Sequence, residues 1–213
     1  MVETCLTFPA VFIVDDDPSV RRCLLRMVSV AGMEARAFSS AEEFLGAACG
    51  PAVHPACLLL DLQMPGLGGL ELQRRLAADP AHCPVVFVSG QGDIPATVQA
   101  MKQGAVTFLT KPFDQDDVLQ AIREAIALHR RQLESVSRVR DLRDRIEALT
   151  EREREVMAWV ITGALNKQIA GALGIVEQTV KVHRARVMEK MHAVSVAGLV
   201  RLCGAAGFEA AVP

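Results

Sequence analysis

No stretch of this sequence reaches the roughly 20 uncharged residues that a membrane-spanning helix needs. The opening Met1 to Pro9, acidic and proline-containing, also lacks the basic region of a signal peptide. A soluble, cytoplasmic protein is expected. The six cysteines, Cys5, Cys23, Cys49, Cys57, Cys83 and Cys203, form no CxxC pair and no other metal-ligand rhythm. Reduced thiols are expected, without a zinc site or a redox sensor. Histidine supplies no ligand set either. His183 has no second ligand at metal spacing, and none accompanies His54, His82, His129 or His192, which predicts surface positions for these four. Gly66-Leu67-Gly68-Gly69 lacks the lysine of a GxxxxGK[ST] loop and reads as a backbone turn, not a phosphate cradle. Trp159, the one tryptophan, lies in the apolar run Val156 to Val160 and is expected in a core, not stacked on a base.

Charge is present in quantity and is unevenly placed. The chain of 213 residues carries −2 overall, and its length exceeds a typical single α/β unit, suggesting two domains. Residues 1–117 hold 8 Lys+Arg against 14 Asp+Glu, or −6; residues 118–149 hold 7 against 5, and residues 150–213 hold 8 against 6, each +2. Between Gln178 and Met191, Lys181, Arg184, Arg186 and Lys190 face only Glu189.

Periodicity predicts strands at 11–14, 34–38, 56–61, 85–89 and 107–110, alternating with helices near 18–31, 41–49, 69–78 and 94–103. The continuous apolar character of the third and fourth strands implies burial on both faces, as in a parallel central sheet. Ser40 followed by Glu43 predicts a capping box, and Asp17-Pro18 an N-cap with proline at the first helical position. Polar residues close the apolar runs: Asp15 and Asp16, Asp61, Ser89 and Lys111. In an open parallel sheet such residues converge on one cleft at the carboxyl ends of the strands. Three carboxylates gathered there repel one another unless a hard cation sits among them, and oxygen-only ligation suits Mg²⁺. A lysine and a hydroxyl facing the same point would serve a phosphoryl group on one carboxylate.

Phe12-Ile13-Val14-Asp15-Asp16-Asp17, Leu60-Asp61-Leu62-Gln63-Met64-Pro65-Gly66, Val88-Ser89-Gly90 and Leu109-Thr110-Lys111-Pro112-Phe113 resemble the receiver domain of a two-component response regulator. The resemblance implies a doubly wound, five-stranded parallel sheet of the flavodoxin or CheY kind. It makes Asp61 the phosphoacceptor and has Asp15, Asp16, Asp61 and the backbone carbonyl of Gln63 hold Mg²⁺. Lys111 would contact phosphoryl oxygens, and Ser89 and Phe108 would form the switch pair. Lys111-Pro112 resembles the family's cis peptide, a form that only an X-Pro bond adopts cheaply. Gly68 stands where relatives often carry Asp or Ser. Gln63 and Gln91 occupy positions that in the family shape water access to the acyl phosphate, so their bulky amides are expected to alter its hydrolysis.

From Gln115 no proline or glycine interrupts the chain until Gly163, and apolar residues fall mostly three or four apart, which predicts one long helix. Its stripe from Leu128 to Leu149 needs cover, by pairing with a second copy or by solvating flanks around a bend near Ser135-Val136-Ser137. Thr150 and Glu153 predict a fresh capped helix. Helices near 166–173, 177–191 and 195–203 follow, with Gly163 and Gly174 as stops and a helix-turn-helix across the short turn. Asn166-Lys167-Gln168-Ile169-Ala170, Leu173-Gly174-Ile175 and Thr179 to Met188 resemble the LuxR-type DNA-binding domain. The whole chain is similar to NarL/FixJ-type regulators, the FixJ and StyR group in particular. In that family the residues matching Lys181, Val182 and Ala185 enter the major groove, and those matching Asn166, Lys167, Thr179, Arg184, Arg186 and Lys190 hold phosphates. Positions 181, 184, 185 and 188 share one helix face; Val180, Val187 and Met191 face the core.

The expected organisation is a receiver domain over 1–127, a helical linker over 128–148 and a small all-α helix-turn-helix domain over 149–213. The expected function is phosphorylation-dependent transcription control and not enzymatic turnover. A histidine kinase would supply the phosphoryl group, and a homodimer would bind double-stranded DNA at a two-part operator. Two rivals remain at this point: an orphan regulator whose receiver is a phosphorylation-independent dimerisation module, and an aspartate-nucleophile phosphohydrolase. The latter lacks its usual acid two residues after the nucleophile, where Gln63 stands.

Overall fold

The computed structural model describes residues 10–47, 54–90 and 94–211. Cys5, Cys49, Gln91 and the last residues of the helix expected over 41–49 lie outside them. The chain divides into two compact units between Glu134 and Ser135, a point inside the 128–148 stretch.

The first unit alternates strand and helix: β1 (Ala10–Val14), α1 (Pro18–Val30), β2 (Glu34–Phe38), α2 (Ala41–Ala47), β3 (Ala56–Asp61), α3 (Gly69–Leu76), β4 (Val85–Ser89), α4 (Ile94–Lys102), β5 (Thr107–Thr110) and the start of α5 (Gln115–Glu147). All strand pairs are parallel, in the order β2-β1-β3-β4-β5. Every residue of β3 and β4 is buried. Alternation divides their side chains between two layers: Leu58 and Leu60 join Phe44, Leu72 and Ala100, while Cys57 and Leu59 join Leu24, Val28, Val118 and Ile122. A strand read as one unbroken apolar run is therefore a strand sandwiched by helices. Each leucine so buried stabilises the fold by roughly 2 kcal/mol.

Local signals set the helix starts. Asp17 accepts the Ser19 amide at 2.7 Å, with Pro18 opening α1. At α2 the expected box is shifted by one residue. The Glu43 amide donates to Ser40 Oγ at 3.1 Å, but the Glu43 carboxylate accepts from Ser39, at its amide and hydroxyl, and not from the Ser40 amide.

The second unit holds the last turns of α5 and then α6 (Glu151–Val160), α7 (Asn166–Leu173), α8 (Glu177–Lys190) and α9 (Val196–Ala206). The reciprocal Thr150–Glu153 box caps α6. Gly174, at φ 64°, ends α7 in the left-handed conformation and turns the chain into α8. The core collects Leu142, Ile146, Leu149, Val156, Met157, Ile169, Val180, Val187, Met191 and Leu199, with Trp159 partly buried against it.

Two expectations change here. The α5 helix runs unbroken through Ser135–Ser137, and the lower part of its apolar stripe is covered by the second unit's own core, at Leu142, Ile146 and Leu149. His129, expected at the surface, is fully buried. Its Nδ1 accepts the Ala56 amide at 2.8 Å and its Nε2 lies 3.1 Å from the Ala81 carbonyl. Burial holds the ring below its ordinary pKa, so it is the neutral form that fastens α5 to the foot of β3. Among the described residues, no helix is long and apolar enough to cross a membrane.

Candidate functional site

The register brings the polar strand ends together. Val14 lies beside Leu60, so Asp15 and Asp61 leave adjacent strands side by side, and Asp61 pairs with Val88, one residue before Ser89. Asp15 is 1 % and Asp61 5 % exposed, and two carboxylates this buried need a cation. Lys111 supplies one, its Nζ lying 2.7 Å from Asp15 Oδ2 and 3.1 Å from Asp61 Oδ1. The lysine is aimed by its own backbone, whose amide donates to the Ser89 carbonyl at 2.8 Å, ahead of a cis peptide to Pro112.

The remaining carboxylate oxygens also have donors. Asp15 Oδ1 accepts the Asp17 amide at 2.8 Å and Asp61 Oδ2 the Gln63 amide at 3.2 Å. One ammonium does not balance two carboxylates. Burial, with the Asp15 charge acting the same way, pushes the Asp61 carboxyl above its ordinary pKa despite Lys111. Burial acts against the Lys111 ammonium, yet its bonds to Asp15 and Asp61 hold it above its usual range. The site retains an excess of negative charge.

Asp16 is exposed. Its main chain is held: Arg21 Nη1 donates to the carbonyls of Asp15 at 2.6 Å and Asp16 at 2.9 Å. The expected trio of carboxylates is thus a buried pair with Asp16 at its rim. Among the described residues, no group of three or more His, Cys, Asp or Glu is gathered to hold a metal. Ser89 is buried. Phe108 is half-buried on the edge strand, its ring stacked on Phe87 with centroids 6.5 Å apart. Gly69 opens α3 hard against the end of β3; a Cβ there would fall on the Asp61 carbonyl oxygen and 3.0 Å from the Phe87 ring.

In the second unit Lys167, Lys181, Val182, Ala185 and Arg186 are exposed, while Asn166, Thr179 and Arg184 are half-buried. Arg184 Nη1 donates to Asn166 Oδ1 at 3.1 Å, joining α8 to the start of α7. Val182, at 43 % exposure, and Ala185 stand apolar among the basic residues of α8. Two residues depart from expectation. Lys190 does not point freely outward: its Nζ lies 2.7 Å from Glu153 Oε2, whose side chain is 2 % exposed, and 3.1 Å from the Ala148 carbonyl. Met188, placed by helical spacing on the face of Lys181, packs instead against the core.

This geometry has close counterparts. The family model described as the response regulator receiver domain matches residues 11–123, and the one described as bacterial regulatory proteins, luxR family, matches residues 147–203. The chain is 45% identical over 200 residues to Nodulation protein W of Bradyrhizobium diazoefficiens, covering 94% of this chain and 87% of that protein. It is 41% identical over 203 residues to the transcriptional regulatory protein FixJ of Rhizobium meliloti, covering 95% and 98%. The solved structure of the response regulator StyR superposes with a TM-score of 0.79 at 44% identity, covering 93% of this chain and 99% of that one. The chain belongs to the FixJ-like response regulators. It joins a receiver domain to a LuxR-type DNA-binding domain, and its relatives are transcriptional regulators of two-component systems, not enzymes, which sets aside the phosphohydrolase reading. A receiver domain implies a histidine kinase as partner, and a LuxR-type domain implies DNA. Receiver domains generally bind Mg²⁺ at the phosphorylation site.

Three polar side chains of this response regulator's receiver were missed from sequence. Arg21 had a signal, since it lies one helical turn after the Asp17 cap and can reach back over the acid pair. Glu42, which accepts the Leu67 amide at 2.9 Å across 25 residues, and Gln73, whose buried amide donates to the Ala100 carbonyl at 3.1 Å, had none.

Proposed function

We propose that this regulator takes a phosphoryl group from a histidine kinase onto Asp61, and that the modification controls its grip on DNA. The receiver would span 1–127, the linker 128–148 and the DNA-binding domain 149–213. The observation that carries the reading is the pair of buried carboxylates from neighbouring strand ends sharing one lysine. In the transfer, the phosphorus–nitrogen bond of the kinase phosphohistidine breaks as an Asp61 oxygen forms the new bond to phosphorus. The excess negative charge and the all-oxygen donors fit Mg²⁺, which Asp15, Asp16, Asp61 and the Gln63 carbonyl would hold. When bound, the ion neutralises charge on the transferring oxygens. Lys111, released from Asp61, bonds a phosphoryl oxygen while keeping Asp15. The buried Ser89 hydroxyl supplies a second donor, and Phe108 follows it inward past Phe87.

In the DNA-binding domain, Lys181, Val182 and Ala185 meet base edges, with Ala185 and Val182 offering only apolar contact such as to a thymine methyl. Lys167, Arg186, Thr179 and the joined pair Asn166–Arg184 hold phosphates. Lys190 serves by fixing α8 to α6. A homodimer formed on phosphorylation would present two recognition helices to a two-part operator.

DNA affinity measured with and without a small acyl phosphate tests this. Phosphorylation should tighten binding by about tenfold or more, and Asp61→Asn should abolish both the mass increase and the gain. Equal affinities in a demonstrably phosphorylated chain would favour the orphan reading.

A further inference from the structure

The loop that carries Asp61 into α3 ends without a side-chain cap. Gly66 and Gly68 are two of its last four residues, and glycine backbone is the costliest to order. Gly68 occupies the N-cap of α3 in extended conformation with no side chain to accept a helix amide, a position where serine, threonine or aspartate would ordinarily fix the turn. One main-chain bond crosses it, from the Gly69 amide to the Leu62 carbonyl at 3.2 Å. Besides the Gln63 amide's bond to Asp61 and the packing of Met64 and Leu67 on the core, a restraint comes from a different element. Glu42, in the first turn of α2, reaches over so that Oε1 accepts the Leu67 amide at 2.9 Å. The approach is close enough that a Cβ on Gly66, which sits at φ 77°, would come within 2.9 Å of that oxygen. Bonds from its own amide and then from Leu67 hold the Glu42 carboxyl below its ordinary range.

We propose that Glu42 is a positioning residue for the phosphorylation site: by accepting the amide of Leu67, the residue before the uncapped Gly68, it pins the chain where it enters α3 and holds the Gln63–Gly68 loop in register with Asp61. Gln63 matters because its amide bonds Asp61 Oδ2 and its carbonyl belongs to the Mg²⁺ set. A free loop would have to be ordered each time the ion bound, which weakens binding by the ordering entropy. The idea rests on the acid pair being the Mg²⁺ site, as the proposed function has it.

The test is Mg²⁺ titration of the full-length chain by calorimetry, with amide exchange at Leu67 followed in the same samples. Glu42→Ala should raise the Mg²⁺ dissociation constant about three- to tenfold, the scale of one partly exposed charged hydrogen bond, and lose protection at Leu67. Glu42→Gln keeps an acceptor oxygen at the same reach and should stay within about twofold of the parent. Adding Gly68→Ser to Glu42→Ala should recover the loss, because a Cβ at Gly68 meets only the Leu62 carbonyl at an ordinary 3.9 Å and the hydroxyl restores a cap. An unchanged constant in Glu42→Ala, a loss just as large in Glu42→Gln, or no recovery in the double variant overturns the proposal. If the parent and Asp61→Asn take up Mg²⁺ equally, the underlying assignment of the metal site falls instead.

Discussion

Asp61 is held in a position that costs the fold something. Its carboxyl sits above the ordinary range because burial and Asp15 outweigh Lys111, so the folded chain binds that proton more tightly than the unfolded one. The stability the group contributes is complete only below its unfolded value and is lost as pH rises through the raised folded value. At neutral pH the ionised side chain is therefore a net burden, and Asp61→Asn should melt higher in Mg²⁺-free buffer, on the order of 2–4 °C. The gap should close as pH falls through the raised value. Calorimetry of both proteins at pH 7.5 and in mild acid decides it; a lower-melting asparagine variant at pH 7.5 would contradict the balance of charge described here. The strand-end residues were legible in the sequence because each closes an apolar run. His129 was not. Its partners are backbone groups of Ala56 and Ala81, 73 and 48 residues distant, and nothing local distinguishes a histidine that will be buried against a main chain from one left in water.

At the scale of the element, strands and helix bodies were readable from periodicity, whereas contacts between elements were not. The Thr150–Glu153 box shows both sides. Its existence follows from spacing, but Glu153 also carries Lys190 of α8 at 2.7 Å, so one carboxylate caps α6 and anchors the recognition helix. The family resemblance gave Lys190 to DNA phosphates and helical spacing gave Met188 to the Lys181 face, an outward reading of both. Burial around Lys190 and Met188 overrode it, because α8 must bury more than one stripe to hold its place in so small a core. Glu153→Ala removes the carboxylate half of the box, leaving the Thr150 hydroxyl on the residue 153 amide, and leaves the ammonium without its partner. It should lower stability of the second unit by about 2 kcal/mol in urea unfolding and weaken DNA binding even though Glu153 touches no DNA. A variant as stable as the parent would show the ion pair to be incidental.

Across the whole molecule, charge is divided by function. Residues 1–117 are acidic by six, and the basic excess is shared equally by residues 118–149 and 150–213, so attraction to a polyanion belongs to the chain beyond the acidic part. Each phosphate contact releases counterions and adds to the salt dependence of binding. Arg186→Ala should reduce the slope of log affinity against log salt by about 1, whereas Lys190→Ala should leave that slope unchanged and lower stability instead. Binding isotherms at several salt concentrations separate the two; equal slopes for parent and Arg186→Ala would remove Arg186 from the interface. The two-domain organisation itself was legible, since the charge division and the capped restart at Thr150 both mark it. How α5 shares its apolar residues was not, because periodicity shows a stripe without showing which core takes which part.

Trp159 has a practical consequence of its own. The chain has no tyrosine and this single indole, partly buried in the core of the DNA-binding half. Ultraviolet emission excited at 295 nm, the usual indole wavelength, therefore reports on that half alone, and the receiver is optically silent. Denaturation watched by emission and by far-ultraviolet dichroism on one sample would show whether the two halves melt together or apart, with no label attached.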